Sequence, residues 1–229
     1  MTELITSSIP VYCERSVGSA SGSASLFAEP LNLASNVSFF VAAILVWRAI
    51  GPPLLYGRGR IPACLKGLVV LIIATGTGSA LWHSFAKPWA MALDVAPIVA
   101  FVLLFMGVML RTLGASRRFL IGAYALFAGL AAITTLALPF EFASGSRGYL
   151  APLLALLTLT TYLSVTGHPS ARLMRGASVS FVVALIGRSL DQPLCAMFPI
   201  GTHFVWHLMN GVVLYCATRA AAIATRLSP

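Results

Sequence analysis

A chain of 229 residues that is 59% hydrophobic and only 9% charged falls outside the range of soluble globular proteins. Its net charge of +9 would suggest nucleic acid in a soluble chain, but here the basic residues sort by loop, so no nucleic-acid partner is expected. The chain is too long for a single anchored helix and too evenly apolar to hide a soluble domain.

Residues 1–28 read as a largely polar strap outside the bilayer, with the Ser/Gly-rich stretch 18–25 as a loop. No basic start followed by an apolar core is present there, so no cleavable signal peptide is expected. Glu29-Pro30 leads into the first apolar run, 33–50, proline being tolerated in a first helical turn. Further runs follow at 64–85, 89–110, 119–138, 149–165, 178–190 and 201–223. Most approach the roughly 20 residues needed to cross the hydrocarbon core, and the short sixth run is lengthened by 175–177. Lys87-Pro88 makes a very short turn between the second and third runs, while Gly51-Pro52-Pro53 and Gly167–Pro169 break loops on the opposite side. Long runs without alternation argue against a transmembrane barrel. The expectation is an all-α bundle of seven transmembrane helices forming one domain over 1–229.

Charge sets an expected orientation. Arg48, Arg58, Arg60, Lys66, Arg111, Arg117, Arg118, Arg172, Arg175, Arg219 and Arg226 fall on one side, against Arg15, Lys87, Arg147 and Arg188 on the other. Basic residues favour the cytoplasmic side, which places the N-terminus outside and the C-terminus in the cytoplasm. Glu3, Glu14, Glu29, Asp94, Glu141 and Asp191 then all lie on the outer side, with His83, His203 and His207; only His168 is on the inner side. Cys13 and Cys195 share outer segments, where an oxidising compartment permits a disulfide, although sequence alone does not supply its geometry. Cys64 and Cys216, in the inner half, read as packing residues.

The chemistry gathers on five residues. His83 closes the second run, and His203 and His207 open the seventh, stacked on one helical face by their i, i+4 spacing. An imidazole at membrane depth must be paired, hydrated or metal-bound. Three of them match a zinc site whose fourth position stays open to water. Ser79 shares a face with His83, and the short hairpin brings Asp94 to a similar depth. Zinc lowers the pKa of a bound water to about 7. Asp94 is placed to take that water's proton as it attacks a carbonyl, and Ser79 to donate a hydrogen bond to the developing oxyanion. These parts describe amide or ester hydrolysis, and a site reached through the bilayer implies a lipid substrate.

Each residue also has a blander explanation. A lone membrane histidine more often bonds a neighbouring helix, and serine is common at helix interfaces. Asp94 is costlier, at about 2.5–3.5 kcal/mol on insertion scales, and the convergence of all five at one depth outweighs these separate accounts. Arg188 and Asp191, three apart at a helix end, read as a structural ion pair. Trp82, Trp89 and Trp206 read as interfacial belt or packing residues. Two competing functions are a non-catalytic lipid-binding receptor with structural zinc, and a haem carrier, which would have no need of Ser79 or Asp94. The oligomeric state is not set by the sequence.

Several motifs, dispersed in order over nearly the whole chain, resemble those of the alkaline ceramidases and the wider superfamily of seven-helix hydrolases that includes adiponectin-type receptors. They are Cys13-Glu14, Ala28-Glu29-Pro30-Leu31-Asn32-Leu33-Ala34-Ser35-Asn36, Ser79-x3-His83-x10-Asp94, Asp191-x3-Cys195 and His203-x3-His207. The resemblance implies a zinc-dependent amidase that releases a fatty acid and a sphingoid base from ceramide. His83, His203 and His207 would be its zinc ligands, Ser79 and Asp94 its catalytic partners, and Cys13–Cys195 its disulfide. Some eukaryotic members bind calcium through an N-terminal acidic cluster, of which Glu14 and Glu29 match two positions. Val11 stands where an aspartate is expected and Ser16 where an asparagine is expected, and the segment from Glu14 to Glu29 is longer. Calcium takes six to eight oxygen ligands, so these two carboxylates would need carbonyls and water beside them. The structural alternative is that Glu29 caps the first helix. The excess of arginine over lysine suggests a bacterial inner-membrane protein with its site near the periplasmic face, so the substrate extends to other N-acyl or O-acyl lipids.

Overall fold

The computed structural model describes residues 12–18, 29–51, 61–139 and 142–227. The Ser/Gly-rich stretch beyond Gly18, the prolines at 52–53, and Glu3, Val11, Arg58, Arg60 and Glu141 lie outside these residues. The described residues are helical and contain no strand. A short helix α1 (Cys13–Gly18) precedes α2 (Pro30–Ser35) and α3 (Val37–Ile50). Then come α4 (Ala63–Phe85), α5 (Pro88–Thr112), α6 (Arg117–Ala137), a 3-10 turn (Ser146–Tyr149), α7 (Leu150–Val165), α8 (Ala171–Leu190) and α9 (His203–Leu227). Seven spans long and apolar enough to cross a membrane result, with α2 and α3 joining as Pro30–Ile50. The protein is a multi-pass membrane bundle.

Two helices carry both the core and the chemistry. On α4 the buried positions Leu65, Leu68, Ile72, Thr75, Ser79 and His83 recur at three and four, which keeps them on one face. The stripe that packs the apolar core therefore delivers Ser79 and His83 at its far end. On α9 the same periodicity runs from His203 and His207 through Gly211, Leu214 and Thr218 to Ala221. Its buried alanines 217, 220, 221 and 224 let α9 approach α8 and α3 closely. Lipid supplies no hydrophobic drive between helices, so close packing and interhelical hydrogen bonds hold them, the bonds averaging about 0.6 kcal/mol each. Examples are Ser38 Oγ to the His207 carbonyl (2.8 Å), Ser170 Oγ to the Ala220 carbonyl (2.9 Å) and Thr160 with Ser178 (2.8 Å).

The sixth span starts earlier than its hydropathy indicates. Ala171, Met174, Ala177, Ser178, Phe181 and Ala184 form its buried face. Arg172 and Arg175 sit in the same turns but point outward, which masks the apolar stripe in a plain reading of hydropathy. By contrast α6 buries no residue and lies at the periphery.

The hairpin from α4 to α5 is as short as Lys87-Pro88 suggests. Ala86 closes α4 in the left-handed region (φ 48°), its N–H donating to the Trp82 carbonyl, and Pro88 starts α5 in a first turn where no N–H is required. Depth along the hairpin is set by backbone contact. Pro97 lies inside α5 and has no N–H to offer the carbonyl of Leu93, four residues earlier. Gly78 of α4 packs directly on that carbonyl, and a Cβ there would collide with it and lie 3.0 Å from the Asp94 nitrogen. Gly78→Ala should destabilise the protein by about 1–3 kcal/mol, as over-packing does. Gly122→Ala, where a Cβ meets nothing within 4 Å, should be neutral or mildly stabilising. Thermal unfolding of both variants in detergent checks this, and equal melting temperatures would refute the role given to Gly78.

Candidate metal centre

His83 lies in the last turn of α4, and His203 and His207 in the first two turns of α9. Each is 1% exposed, and one ligand atom from each lies within 4.8 Å of the others, so the three can hold a metal ion. The hydrogen bonds on their rings decide which nitrogens are available.

His83 Nδ1 is 2.5 Å from Glu29 Oε2, an acceptor, so that nitrogen carries the proton. His207 Nδ1 is 2.7 Å from Ser35 Oγ, whose single proton is donated to the Asn32 carbonyl at 2.9 Å. Towards His207 the serine therefore accepts, and Nδ1 is again the donor. As neutral imidazoles both rings then present a bare Nε2, and these two atoms face each other at 3.0 Å. Two lone pairs at that distance repel unless a cation lies against both. His203 adds a buried Nδ1 without a hydrogen-bond partner among the described residues. An orphaned imidazole nitrogen and two opposed lone pairs fit a metal and fit a purely structural cluster poorly.

The N-terminal strap holds this arrangement in place. Glu29 Oε1 accepts from Arg15 Nε at 2.5 Å, and its Oε2 from Asn32 Nδ2 at 3.1 Å as well as from His83. Burial alone would push the Glu29 carboxyl up, but the His83 and Arg15 partners outweigh it and hold it below the usual carboxylate range. Arg15 also donates from Nη2 to the His83 carbonyl at 2.9 Å, binding strap and helix end together. Glu14 accepts from the backbone nitrogens of Leu31 (2.7 Å) and Asn32 (2.9 Å), the first N–H groups α2 can offer after Pro30. The helix cap is thus Glu14 and not Glu29, whose side chain makes no cap bond. The two residues matched to a calcium site point their described carboxylate oxygens at nitrogen donors.

Asp191 governs the α9 side. Its Oδ1 accepts from the backbone nitrogens of Thr202 (2.7 Å) and His203 (3.0 Å), which caps α9 where the ligands begin, and its Oδ2 accepts from Cys13 N at 2.9 Å. Gly201, at φ 67°, leaves room for that carboxylate. The expected Arg188–Asp191 ion pair does not form, because three backbone N–H groups claim the aspartate. Arg188 turns instead to the Tyr12 hydroxyl at 2.9 Å. Cys13 is disulfide-bonded to Cys195, with Cα atoms 5.4 Å apart, and Tyr12 stacks on the His203 ring at 3.7 Å between centroids.

Ser79 Oγ lies 3.3 Å from His207 Nε2 and also interacts with the Asp94 carboxylate. His83, His203, His207, Ser79 and Asp94 thus occupy one neighbourhood. Tyr12, Arg15, Asn32 and Ser35 complete it without having been assigned a role from sequence. The available signal for Asn32 and Ser35 was their place as polar residues at the start of an apolar span.

No family model matches this sequence, and comparison with curated proteins finds no match. If Glu29 orients His83, Glu29→Gln should weaken metal retention about 10–100-fold, as loss of a partner to a ligating histidine does. Competition with a chelator measures it; affinity unchanged in the folded variant would remove Glu29 from the centre.

Proposed function

We propose that the protein is a zinc-dependent intramembrane hydrolase that cleaves the amide bond of ceramide or a related N-acyl lipid to a fatty acid and a sphingoid base or equivalent amine. The observation that carries this reading is the pair of bare Nε2 atoms at 3.0 Å, beside a third imidazole with an orphaned nitrogen and within reach of Ser79 and Asp94. The motif resemblance to alkaline ceramidases points the same way.

His83, His203 and His207 would hold the ion. Zinc bound there supplies a Lewis acid that polarises a carbonyl and makes water more acidic. Asp94 accepts a proton from the attacking water and returns it to the amine nitrogen as the C–N bond breaks, so water's hydroxyl ends on the acid and its proton on the amine. Ser79 donates a hydrogen bond to the carbonyl oxygen as negative charge builds on it.

A cavity of about 740 Å³ supports a lipid substrate. Its wall is largely apolar, including Phe101, Phe105, Leu126, Phe127 and Leu159, which suits an acyl chain. It also includes Trp206, the neighbour of His207, and Phe39, whose ring meets that of His207 edge-on at 6.1 Å. Two residues of the cavity wall thus lie beside the histidine cluster. The charge asymmetry of the loops supports a cluster near the outer, non-cytoplasmic face, and the excess of arginine over lysine supports a bacterial inner membrane, which makes that face periplasmic.

Release of fatty acid from a fluorescent N-acyl sphingoid lipid by purified protein tests the reading, with zinc quantified in each sample. His207→Ala should lose zinc and turnover together. Asp94→Asn should keep zinc while turnover falls about 10²–10⁴-fold. Zinc with no turnover in wild type would favour a different acyl lipid or a non-catalytic lipid receptor, and no zinc in the folded wild type would refute the mechanism.

A further inference from the structure

Arg188 is placed unlike the other basic residues of the spans. It sits in the last turn of α8, at the end of the bundle where the histidines lie, and is only partly covered. Its guanidinium carbon stands 5.5 Å from the Tyr12 ring centroid, 5.3 Å from that of Tyr149 and 5.4 Å from that of Trp206. Tyr12 is the residue stacked on His203, while Tyr149 and Trp206 are part of the cavity wall. The cation thus stands against a residue stacked on the histidine cluster and against two residues of the acyl-sized cavity's wall.

Three aromatic faces compensate its charge, but ring faces do not satisfy its N–H groups in the plane of the guanidinium. Nη1 donates to the Tyr12 hydroxyl. Nε is buried without a partner, and neither it nor Nη2 bonds a described residue. Of the described carboxylates, Glu14, Glu29 and Asp191 are committed to other donors, and Asp94 acts on Arg188 through space without forming an ion pair. What remains is a guanidinium edge, Nε with Nη2, of the two-pronged kind that matches a pair of anionic oxygens.

We propose that this edge of Arg188 is an anion subsite for the substrate's polar end: the acyl lipid carries a carboxylate or phosphate on the amine side of its scissile amide. The inference rests on the hydrolase reading above and narrows its substrate class. Arg188 positions the lipid headgroup while the cavity takes the chain, so the two contacts fix the amide between them. A neutral headgroup leaves the Nε–Nη2 edge unsatisfied and binds more weakly.

The probes are N-dodecanoylglycine and its neutral isostere N-dodecanoylglycinamide, with inorganic phosphate as a free anion. Their affinities are measured by equilibrium binding to full-length Asp94→Asn protein in detergent, so that binding does not depend on turnover. The carboxylate should bind about 10-fold or more tighter than the amide. Adding Arg188→Gln should bring that ratio towards one, and Arg188→Lys, which keeps the charge and loses the fork, should restore only part of it. Inorganic phosphate should not displace the acylglycine at concentrations where the acylglycine saturates.

A ratio near one before Arg188 is changed, a ratio that survives Arg188→Gln in folded protein, or binding of neither probe overturns the subsite. Equal competition by inorganic phosphate overturns its assignment to the lipid. Wild-type turnover of the two probes, assayed in parallel, separates the two levels. Turnover without headgroup preference leaves the hydrolase and removes the subsite, whereas a binding preference without turnover leaves an anionic-lipid subsite and counts against hydrolysis of this acyl amide.

Discussion

A neutral imidazole taken out of water has two ring nitrogens to satisfy, one a donor and the other a lone pair. Three such rings buried at one end of an apolar bundle create six demands where lipid-facing side chains offer nothing. The contact between His83 and Glu29 is the first answer, because an acceptor-only carboxylate fixes the proton on Nδ1 and turns Nε2 inward. Ser35 does the same for His207 with a neutral hydroxyl. What these outer partners leave unmet on the inner side is the argument for an ion.

The described part of the polar strap supplies the cation that answers that carboxylate at the helix end. A buried Glu29 without Arg15 would be an uncompensated charge, and Arg15 without the His83 carbonyl would have an idle prong. Glu14 secures α2, which carries Asn32 and Ser35, while Asp191 secures α9, which carries two of the rings. Glu14, Glu29 and Asp191 thus each answer a set of N–H groups, and Glu14 and Asp191, which meet backbone nitrogen, act as fasteners for helices that carry or support the histidines.

The seven spans could be read from hydropathy because long apolar runs have few alternatives in a chain of this composition. The histidine cluster was legible as well, since i, i+4 spacing fixes a face and the short hairpin fixes a depth. The network around it was not. Glu29 meets His83 across 54 positions, and no local periodicity reports such a pairing. Arg188 and Asp191 show the opposite failure: helical spacing suggested a partnership, and tertiary competition dissolved it when backbone nitrogens reached the carboxylate first. Gly78 carried no signal at all, because its meaning lies in a carbonyl on the next helix that Pro97 leaves without a donor.

The bond between Cys13 and Cys195 spans 182 positions and makes most of the molecule a closed ring. His83 and Asp94 lie within that ring, and His203 and His207 on the tail just beyond it. A single break in any inter-helix loop between Cys13 and Cys195 opens the ring without dividing the protein, so all three imidazoles remain on one covalent piece. Within the ring two breaks, one on each side of His83, are needed to free it, whereas one break between Cys195 and His203 parts it from the other two.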